Sequence, residues 1–383
     1  MARKVLHVAL NGVTGRMGYR QHLVRSLLSI REQGGVPLAD GTTVYPEPVL
    51  VGRSDARLRE IAERHGLARW STSLDEVLAD PEVAVYFDTQ VTSAREAGLA
   101  RAIAAGKNVY TEKPVAGSLD GALRLARAAR EAGITHGVVQ DKLFLPGVIK
   151  LRRLVRSGFF GRVLSARLEF GYWVFEGNDI PAQRPSWNYR AADGGGIVLD
   201  MFPHWRYLLE DLFGPVTAVY ARRATLIRRR WDEAGAPYDA TADDAAYAVL
   251  EFASGMMASV NSSWAVRVNR RELLELQVDG TDGSAVAGLR HCAVQHRVST
   301  PRAVWNPDLP DPADYPAQWT DIPDNVDVDN GFKAQWEQFL RAAAEGTPVR
   351  WDLAEGAKGV QLAELAQRSS AEGRRVDVPP LAG

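Results

Sequence analysis

The strongest constraint on this chain is an apolar strand that stops at glycines. Lys4 to Leu10 runs into Asn11-Gly12-Val13-Thr14-Gly15-Arg16-Met17-Gly18. A short, continuously apolar run suits a parallel strand buried on both faces. A helix pattern follows from Gly15 to about Ile30. The start of such a helix keeps unpaired N–H groups and the positive end of its dipole, a place suited to phosphate. Gly12 permits the tight turn, Gly15 lets the backbone approach a pyrophosphate, and Gly18 lets the helix sit close to the strand. The spacing is G-x-x-G-x-x-G rather than G-x-G-x-x-G, and such a turn alone is equally a plain strand-to-helix connection. At the first strand of an alternating chain it points to dinucleotide binding, with Thr14, Arg16 and Met17 as further candidate contacts.

The alternation continues. Strand-like runs at Val49–Gly52, Ala84–Phe87, Val109–Thr111 and Thr135–Val139 interleave with helix patterns at Asp55–His65, Ser93–Ala105 and Leu119–Ala132. This predicts a doubly wound parallel sheet, the Rossmann arrangement. The stretch from Gln33 to Pro48, rich in Gly and Pro, reads as irregular. After a helix over Pro146–Ser157 the rhythm changes. Long runs at Val163–Phe175, Val216–Leu226, Ala245–Phe252, Met256–Val266 and Leu273–Val278 predict a large, mostly antiparallel open sheet in an α+β domain. Pro301 to Asn325, rich in Pro and Asp, reads as an ordered surface excursion, and helices around Phe332–Ala344 and Leu353–Ser370 close the chain. The expected class is α/β, with a Rossmann domain over 1–145 and a substrate-binding and oligomerisation domain over 146–383. The last helices can return to the first domain.

Bulk properties exclude several functions. The 383 residues suggest two domains, and 46% apolar residues supply a full core. A formal net charge of −1 gives no reason to expect nucleic acid or an acidic membrane. The one cysteine, Cys292, excludes an internal disulfide and a cysteine-based zinc cluster. No His, Cys or carboxylate group has metal-ligand spacing. No window approaches a membrane span and no signal-peptide pattern opens the chain, so the expected location is the cytoplasm.

Two motifs carry chemistry. Glu112-Lys113-Pro114 ends a strand, and Gly194-Gly195-Gly196 precedes Asp200 and His204, which share a helix face at i and i+4. Oxidising an alcohol needs a base for the hydroxyl proton and a group that stabilises the developing C–O dipole. Lys113 can donate to that oxygen, His204 can take the proton, and Asp200 can orient or share protons with both. Taken singly, each motif is as readily a solvated turn or a bridging pair. Their order behind a dinucleotide turn makes them a set.

The second Rossmann strand ends Val51-Gly52-Arg53-Ser54, with no acid until Asp55. A carboxylate there favours NAD, whereas Arg53 and Ser54 can hold a 2′-phosphate, which leans the cofactor toward NADP. Ser165 to Arg190 is dense in aromatic and basic residues. Trp173, Arg184, Trp187, Tyr189 and Arg190 are candidate substrate contacts, since aromatic faces suit sugar C–H faces and arginine suits anions. Lys142, with Gln140 and Asp141 after the last Rossmann strand, is another candidate. The bland alternative is core aromatics and surface ion pairs. Arginines in the pocket would favour an acidic sugar.

The glycine turn, Ala105-Gly106-Lys107-Asn108-Val109-Tyr110-Thr111-Glu112-Lys113-Pro114, and Gly194-Gly195-Gly196 with Asp200 and His204 together resemble the glucose–fructose oxidoreductase, inositol dehydrogenase and rhizopine-catabolism (Gfo/Idh/MocA) family over nearly the whole chain. The resemblance implies a Rossmann domain followed by an α/β domain whose open sheet face makes an oligomer contact, here a homodimer or homotetramer. It implies Lys113, Asp200 and His204 as the catalytic set, with Glu112 and Lys113 near the nicotinamide ribose and Thr89 at the cofactor. Two departures stand out. Asp88-Thr89-Gln90-Val91-Thr92 lacks the family's frequent Pro and His, and Tyr207 stands where an acid often follows the histidine by three.

The expected function is an NAD(P)-dependent oxidoreductase moving a hydride between nicotinamide and a hydroxyl carbon of a sugar, sugar acid or cyclitol. The alternative is a redox glycosidase that oxidises C3, eliminates, hydrates and re-reduces on a retained NAD. A non-enzymatic dinucleotide sensor is a third reading, against which Lys113, Asp200 and His204 stand.

Overall fold

The computed structural model describes residues 2–324 and 329–381. Two sheets organise it. The first has seven strands in the order Val36–Pro37, Thr43–Val51, Arg3–Asn11, Val83–Asp88, Asn108–Thr111 and His136–Val138, with Trp70–Ser71 pairing on Thr43–Val51. All pairs are parallel except Val36–Pro37. The second has nine strands, ordered Thr320–Asp321, Cys292–His296, Gly283–Gly288, Leu274–Gly280, Val163–Gly171, Met257–Ser263, Ala245–Phe252, Val216–Ala224 and Val376–Asp377. Its pairs are antiparallel but for Val163–Gly171 with Met257–Ser263. The chain is therefore α/β, a Rossmann-type sheet followed by a large, mostly antiparallel one.

The second strand corrects the sequence reading. Thr43–Val51 is a full strand, although Pro46 and Pro48 make it look broken. The explanation lies in parity. Leu50 N donates outward to Arg69, and Gly12 N reaches inward to Val51 O. Even-numbered residues thus turn their N–H side outward, where pairing occurs only at Thr43–Val44 and Leu50–Val51. Prolines 46 and 48 fall on an unpaired edge, the position a strand tolerates.

The first helix begins at Met17 rather than Gly15, is wound as π over Met17–Leu28, and continues as α over Ser29–Glu32. Also absent from the sequence reading were the helix Leu74–Ala79 and the strands Gly283–Gly288 and Cys292–His296. The excursion from Pro301 carries short turns and the strand Thr320–Asp321, and its last expected residue, Asn325, lies outside the described residues.

Alternate residues of Arg3–Asn11 feed two cores, as a pleated strand requires. Val8 and Leu10 join Leu23, Phe87, Trp336 and Phe339 on one face. Ala9 joins Val51, Tyr86, Leu99, Leu353 and Val360 on the other. The helices Gly331–Glu345 and Leu353–Glu372 therefore pack back on the Rossmann sheet. A third core fills the space between the large sheet and the helix Ile197–Phe213, with Trp205, Phe202, Leu168 and Trp264 at its centre. The helix Leu353–Glu372 also crosses Ile197–Phe213, and a Cβ on Gly359 would lie 2.9 Å from Pro203 Cβ.

Candidate active site

The carboxyl ends of the Rossmann strands form one edge, where such folds bind ligands. Gly12, Gly52, Thr89, Glu112 and Gln140 follow five of these strands. Gly12 has φ +85°, and a Cβ there would lie 3.0 Å from Gln90 N. Gly15 N closes the turn on Gly12 O at 3.0 Å. Among the described residues, the N–H groups of Thr14 and Arg16 have no protein acceptor. A turn with no room for side chains, with free donors at a helix start, fits a pyrophosphate. Thr89 is tied into the turn, its N–H donating to Asn11 O at 2.9 Å and its hydroxyl to Gly12 O at 3.3 Å. Arg53 is exposed at the end of the second strand. Ser54 caps the next helix, its hydroxyl accepting from Arg57 N at 3.5 Å.

A buried scaffold behind this edge escaped the sequence reading. Tyr86 Oη donates to Asp88 Oδ2 at 2.6 Å and accepts from Asn11 Nδ2 at 2.8 Å. Arg95 sits 3.4 Å from Asp88 Oδ1 and donates to Gln90 O at 2.6 Å and to Pro114 O. Burial alone would raise the Asp88 carboxyl strongly, and the nearby Arg95 only partly opposes it. One arginine thus fixes both the Thr89–Gln90 turn and the segment after Lys113. Glu112 is held in the same way. His22 Nε2 lies 2.8 Å from its Oε1, and Lys113 N donates to its Oε2 at 3.1 Å. Burial opposes ionisation of Glu112, but the bond to His22 and the charge of Lys113 win and hold it below the usual range.

The Asp/His helix starts where three glycines allow it. Gly194 and Gly196 have φ of +77° and +123°, and a Cβ on Gly195 would lie 2.5 Å from Trp187 O and Asn188 O. The close neighbour is this chain's own preceding turn. Asp243 satisfies the helix start, accepting Val198 N at 2.9 Å on Oδ2 and Ile197 N at 2.9 Å on its carbonyl.

Lys113 and Asp200 meet. Lys113 Nζ donates to Asp200 Oδ1 at 2.7 Å and to Asp200 O at 2.9 Å. Arg184 Nη2 grips Asp200 Oδ2 and donates to Asn188 Oδ1 at 3.0 Å, and the guanidinium carbon lies 4.1 Å above the Trp264 ring. Burial pushes the Asp200 carboxyl up, but Lys113 and Arg184 together drive it far below the usual range. His204, 5% exposed, stands one turn on. Burial, reinforced by the charges of Lys113, Lys142 and Arg184, holds its imidazole well below 6.5 and so neutral. Its Nδ1 is 2.6 Å from Tyr207 Oη. An ammonium has three donors, so Lys113 keeps one beyond its two bonds to Asp200.

The other candidate contacts divide. Lys142 pairs with Asp141, Nζ to Oδ2 at 2.6 Å. Arg184 belongs to the Asp200 cluster. Tyr189, 1% exposed, packs edge-on against Trp264 beneath the Arg230 guanidinium. Its place is the core between helix and sheet, and among the described residues no group meets its hydroxyl. Arg190 stacks over Tyr238 at 4.5 Å and faces Asp232 at 3.9 Å. Trp187 is half-buried on the same turn, and Trp173 lies under Arg267 at 4.3 Å. Arg230, fully buried, is paired with Asp244. Arg184, Arg190 and Arg230 therefore each face a carboxylate of the chain.

Residues 7–139 match the model of the oxidoreductase family with the NAD-binding Rossmann fold, and residues 148–286 match that of the GFO/IDH/MocA C-terminal domain. D-xylose dehydrogenase of Paenarthrobacter nicotinovorans is 56% identical over 381 residues, 98% of each chain. The chain belongs to the Gfo/Idh/MocA oxidoreductase family. It is an NAD(P)-dependent enzyme of that family with the Rossmann fold at its N-terminus. Among other members, 1,5-anhydro-D-fructose reductase of Ensifer adhaerens is 28% identical over 84% of this chain and 90% of that protein. The solved structure of levoglucosan dehydrogenase in complex with NADH and L-sorbose shares the fold, with a TM-score of 0.81 at 22% identity over 100% of both chains.

Proposed function

We propose that this Gfo/Idh/MocA enzyme is an NAD(P)-dependent dehydrogenase of a neutral aldose, D-xylose first, and that Lys113, Asp200 and His204 are its catalytic residues. The identity of 56% with a D-xylose dehydrogenase supports the substrate. The observation that carries the chemistry is the Lys113 ammonium, fixed by Asp200 with a donor to spare, beside a buried neutral imidazole.

The glycine turn, with Thr14, Arg16 and Met17, would hold the pyrophosphate, and Glu112 and Lys113 would lie near the nicotinamide ribose. Arg53 would meet a 2′-phosphate where NADP is used. When bound, nicotinamide supplies the hydride acceptor. Lys113 donates its free hydrogen bond to the sugar oxygen being oxidised and stabilises charge there as the proton leaves. His204 accepts that proton on Nε2, since Nδ1 is engaged by Tyr207. Asp200, ionised and gripped by Arg184, holds Lys113 in place. Neutral sugars are favoured because Arg184, Arg190 and Arg230 face carboxylates of the chain. Trp173, Trp187 and Lys142 line the sugar side.

The division near residues 145 and 146 separates cofactor and substrate parts, in line with the spans of the two family matches. The protein assembles as a homodimer or homotetramer through the outer face of the large sheet. Tyr220, Tyr247, Val249 and Met257 are 41%, 46%, 40% and 57% exposed there, on neighbouring strands. It works in the cytoplasm, and no described helix is long and apolar enough to cross a membrane. Purified protein incubated with D-xylose and either cofactor tests the reading: reduced nicotinamide accumulates with the neutral sugar and not with its uronic acid.

A further inference from the structure

His204 has polar neighbours on the side of the last Rossmann strand. Tyr207, one turn along the same helix, places its Oη 2.6 Å from His204 Nδ1. The same oxygen accepts Lys142 N–H at 3.2 Å and lies 3.5 Å from Asp141 Oδ1. Asp141 opens the turn after the last Rossmann strand and is 5% exposed. Its Oδ2 is paired with Lys142 Nζ at 2.6 Å. Its Oδ1 lies 3.8 Å from His204 Nδ1, too far for a direct bond.

Valence selects among the arrangements. A tyrosine hydroxyl has one proton to give and two lone pairs to receive with. Lys142 N–H occupies one lone pair. If Tyr207 gave its proton to His204, Asp141 Oδ1 would be a buried carboxylate oxygen with no donor among the described residues, which is costly. If His204 Nδ1–H fills the second lone pair, the Tyr207 proton is left for Asp141 and every group is satisfied. Nε2 is then the bare nitrogen.

We propose that Asp141 and Tyr207 are positioning residues for His204. Asp141 accepts from Tyr207, and Tyr207 accepts from His204 Nδ1–H. This fixes the tautomer with Nε2 free and sets a buried carboxylate one hydroxyl away from the imidazolium that forms. The inference rests on His204 as the base. The substrate O–H proton moves to Nε2, and no proton passes further. Nδ1–H stays with the imidazole, the hydroxyl proton stays on Tyr207, and Asp141 takes no proton. The groups around the imidazole are Lys113 from the strand end, Lys142 and Asp141 from the turn after the last strand, and Arg184 from the preceding loop. Asp200 and Tyr207 are on its own helix, and Glu112 lies beyond Tyr207.

The test compares Tyr207→Phe, Asp141→Asn and the double variant in the full-length enzyme, with D-xylose as probe. It follows kcat, sugar KM, the pH profile of kcat/KM and cofactor binding by fluorescence. Each single variant lowers kcat by about 10-fold or more while KM stays within about twofold. The acid limb of kcat/KM moves to lower pH, because the imidazolium loses a supporting charge. The double variant is no worse than the poorer single, as expected of two members of one chain. Asp141→Glu recovers part of the rate. An unchanged kcat and acid limb in Tyr207→Phe overturns the proposal. A KM rise without loss of kcat in Asp141→Asn overturns it too, as do effects that multiply in the double variant. If Asp141→Asn does not fold, Tyr207→Phe and Asp141→Glu decide alone. A His204→Ala enzyme with full activity refutes the base itself. A dead His204→Ala enzyme beside fully active Tyr207→Phe and Asp141→Asn refutes only the positioning role.

Discussion

His22 Nε2 lies 2.8 Å from Glu112 Oε1, while His22 Nδ1 faces the Trp336 indole N–H at 3.0 Å. An indole nitrogen only donates, so Nδ1 accepts and the imidazole proton sits on Nε2, pointing at the carboxylate. A helix near the C-terminus thereby sets the tautomer of a histidine in the first helix. That histidine in turn holds the glutamate preceding Lys113.

His22→Ala leaves the Trp336 N–H and Glu112 without their partner in a dry core. Each such loss costs about 1–3 kcal/mol. The expected outcome is a lower melting temperature together with a cofactor KM raised about 10-fold or more. Trp336→Phe reproduces part of both changes. Calorimetry and steady-state kinetics read the two effects, and a His22→Ala enzyme with unchanged cofactor KM would sever the link to Glu112.

Lys113→Met and Asp200→Asn each lower kcat by about 100-fold or more. Asp200→Asn loses less cofactor affinity than Lys113→Met, because only Lys113 is assigned to the ribose as well. Isothermal titration with the oxidised cofactor, beside turnover of D-xylose, separates these effects.

His204 is held well below 6.5 by burial first and then by the cations around it. A group with a depressed basic form charges only in acid, so the base is ready at and above pH 6.5. The acid limb of kcat/KM therefore lies below pH 6.5 and not at the ordinary histidine value. Stability follows the same direction through Asp200, whose folded value is depressed. Its contribution is complete above the ordinary carboxylate value of 3.8 and is lost as pH falls below it. Acid titration of activity and of the far-ultraviolet signal reads both.

Much of the fold was legible because strand and helix alternate over the first part of the chain and glycines mark the turns. Glu112-Lys113-Pro114 and Asp200/His204 were legible as motifs, and Lys113 and Asp200 prove to touch across 87 positions of sequence. What escaped depends on three-dimensional neighbours. Pro46 and Pro48 read as breakers because nothing in sequence shows which edge their missing N–H faces. His22, Arg95 and Asp243 are single polar residues whose partners lie on other elements of the fold. His22 did carry a faint signal, a titratable group beside Leu23 on the face of the helix that turns to the core. Tyr207 stands out in the sequence as a departure, and only the structure gives it neighbours.

Arg53 tests cofactor choice. Arg53→Ala weakens NADP more than NAD if the guanidinium meets a 2′-phosphate, because a charge-assisted bond is lost for one cofactor only. The ratio of kcat/KM for the two cofactors, wild type against variant, gives the answer. An unchanged ratio removes Arg53 from the cofactor site.

The most direct measurement is turnover of a panel holding D-xylose, D-glucose, a cyclitol, a uronic acid and an aryl glycoside. Reduced nicotinamide and free aglycone are followed in the same tubes, with wild type and His204→Ala side by side. The expected result is stoichiometric reduced cofactor from a neutral aldose, none from the uronic acid, no aglycone release, and loss of the signal in His204→Ala. Aglycone released with only a trace of cofactor and no net reduction would contradict it and make the protein a redox glycosidase.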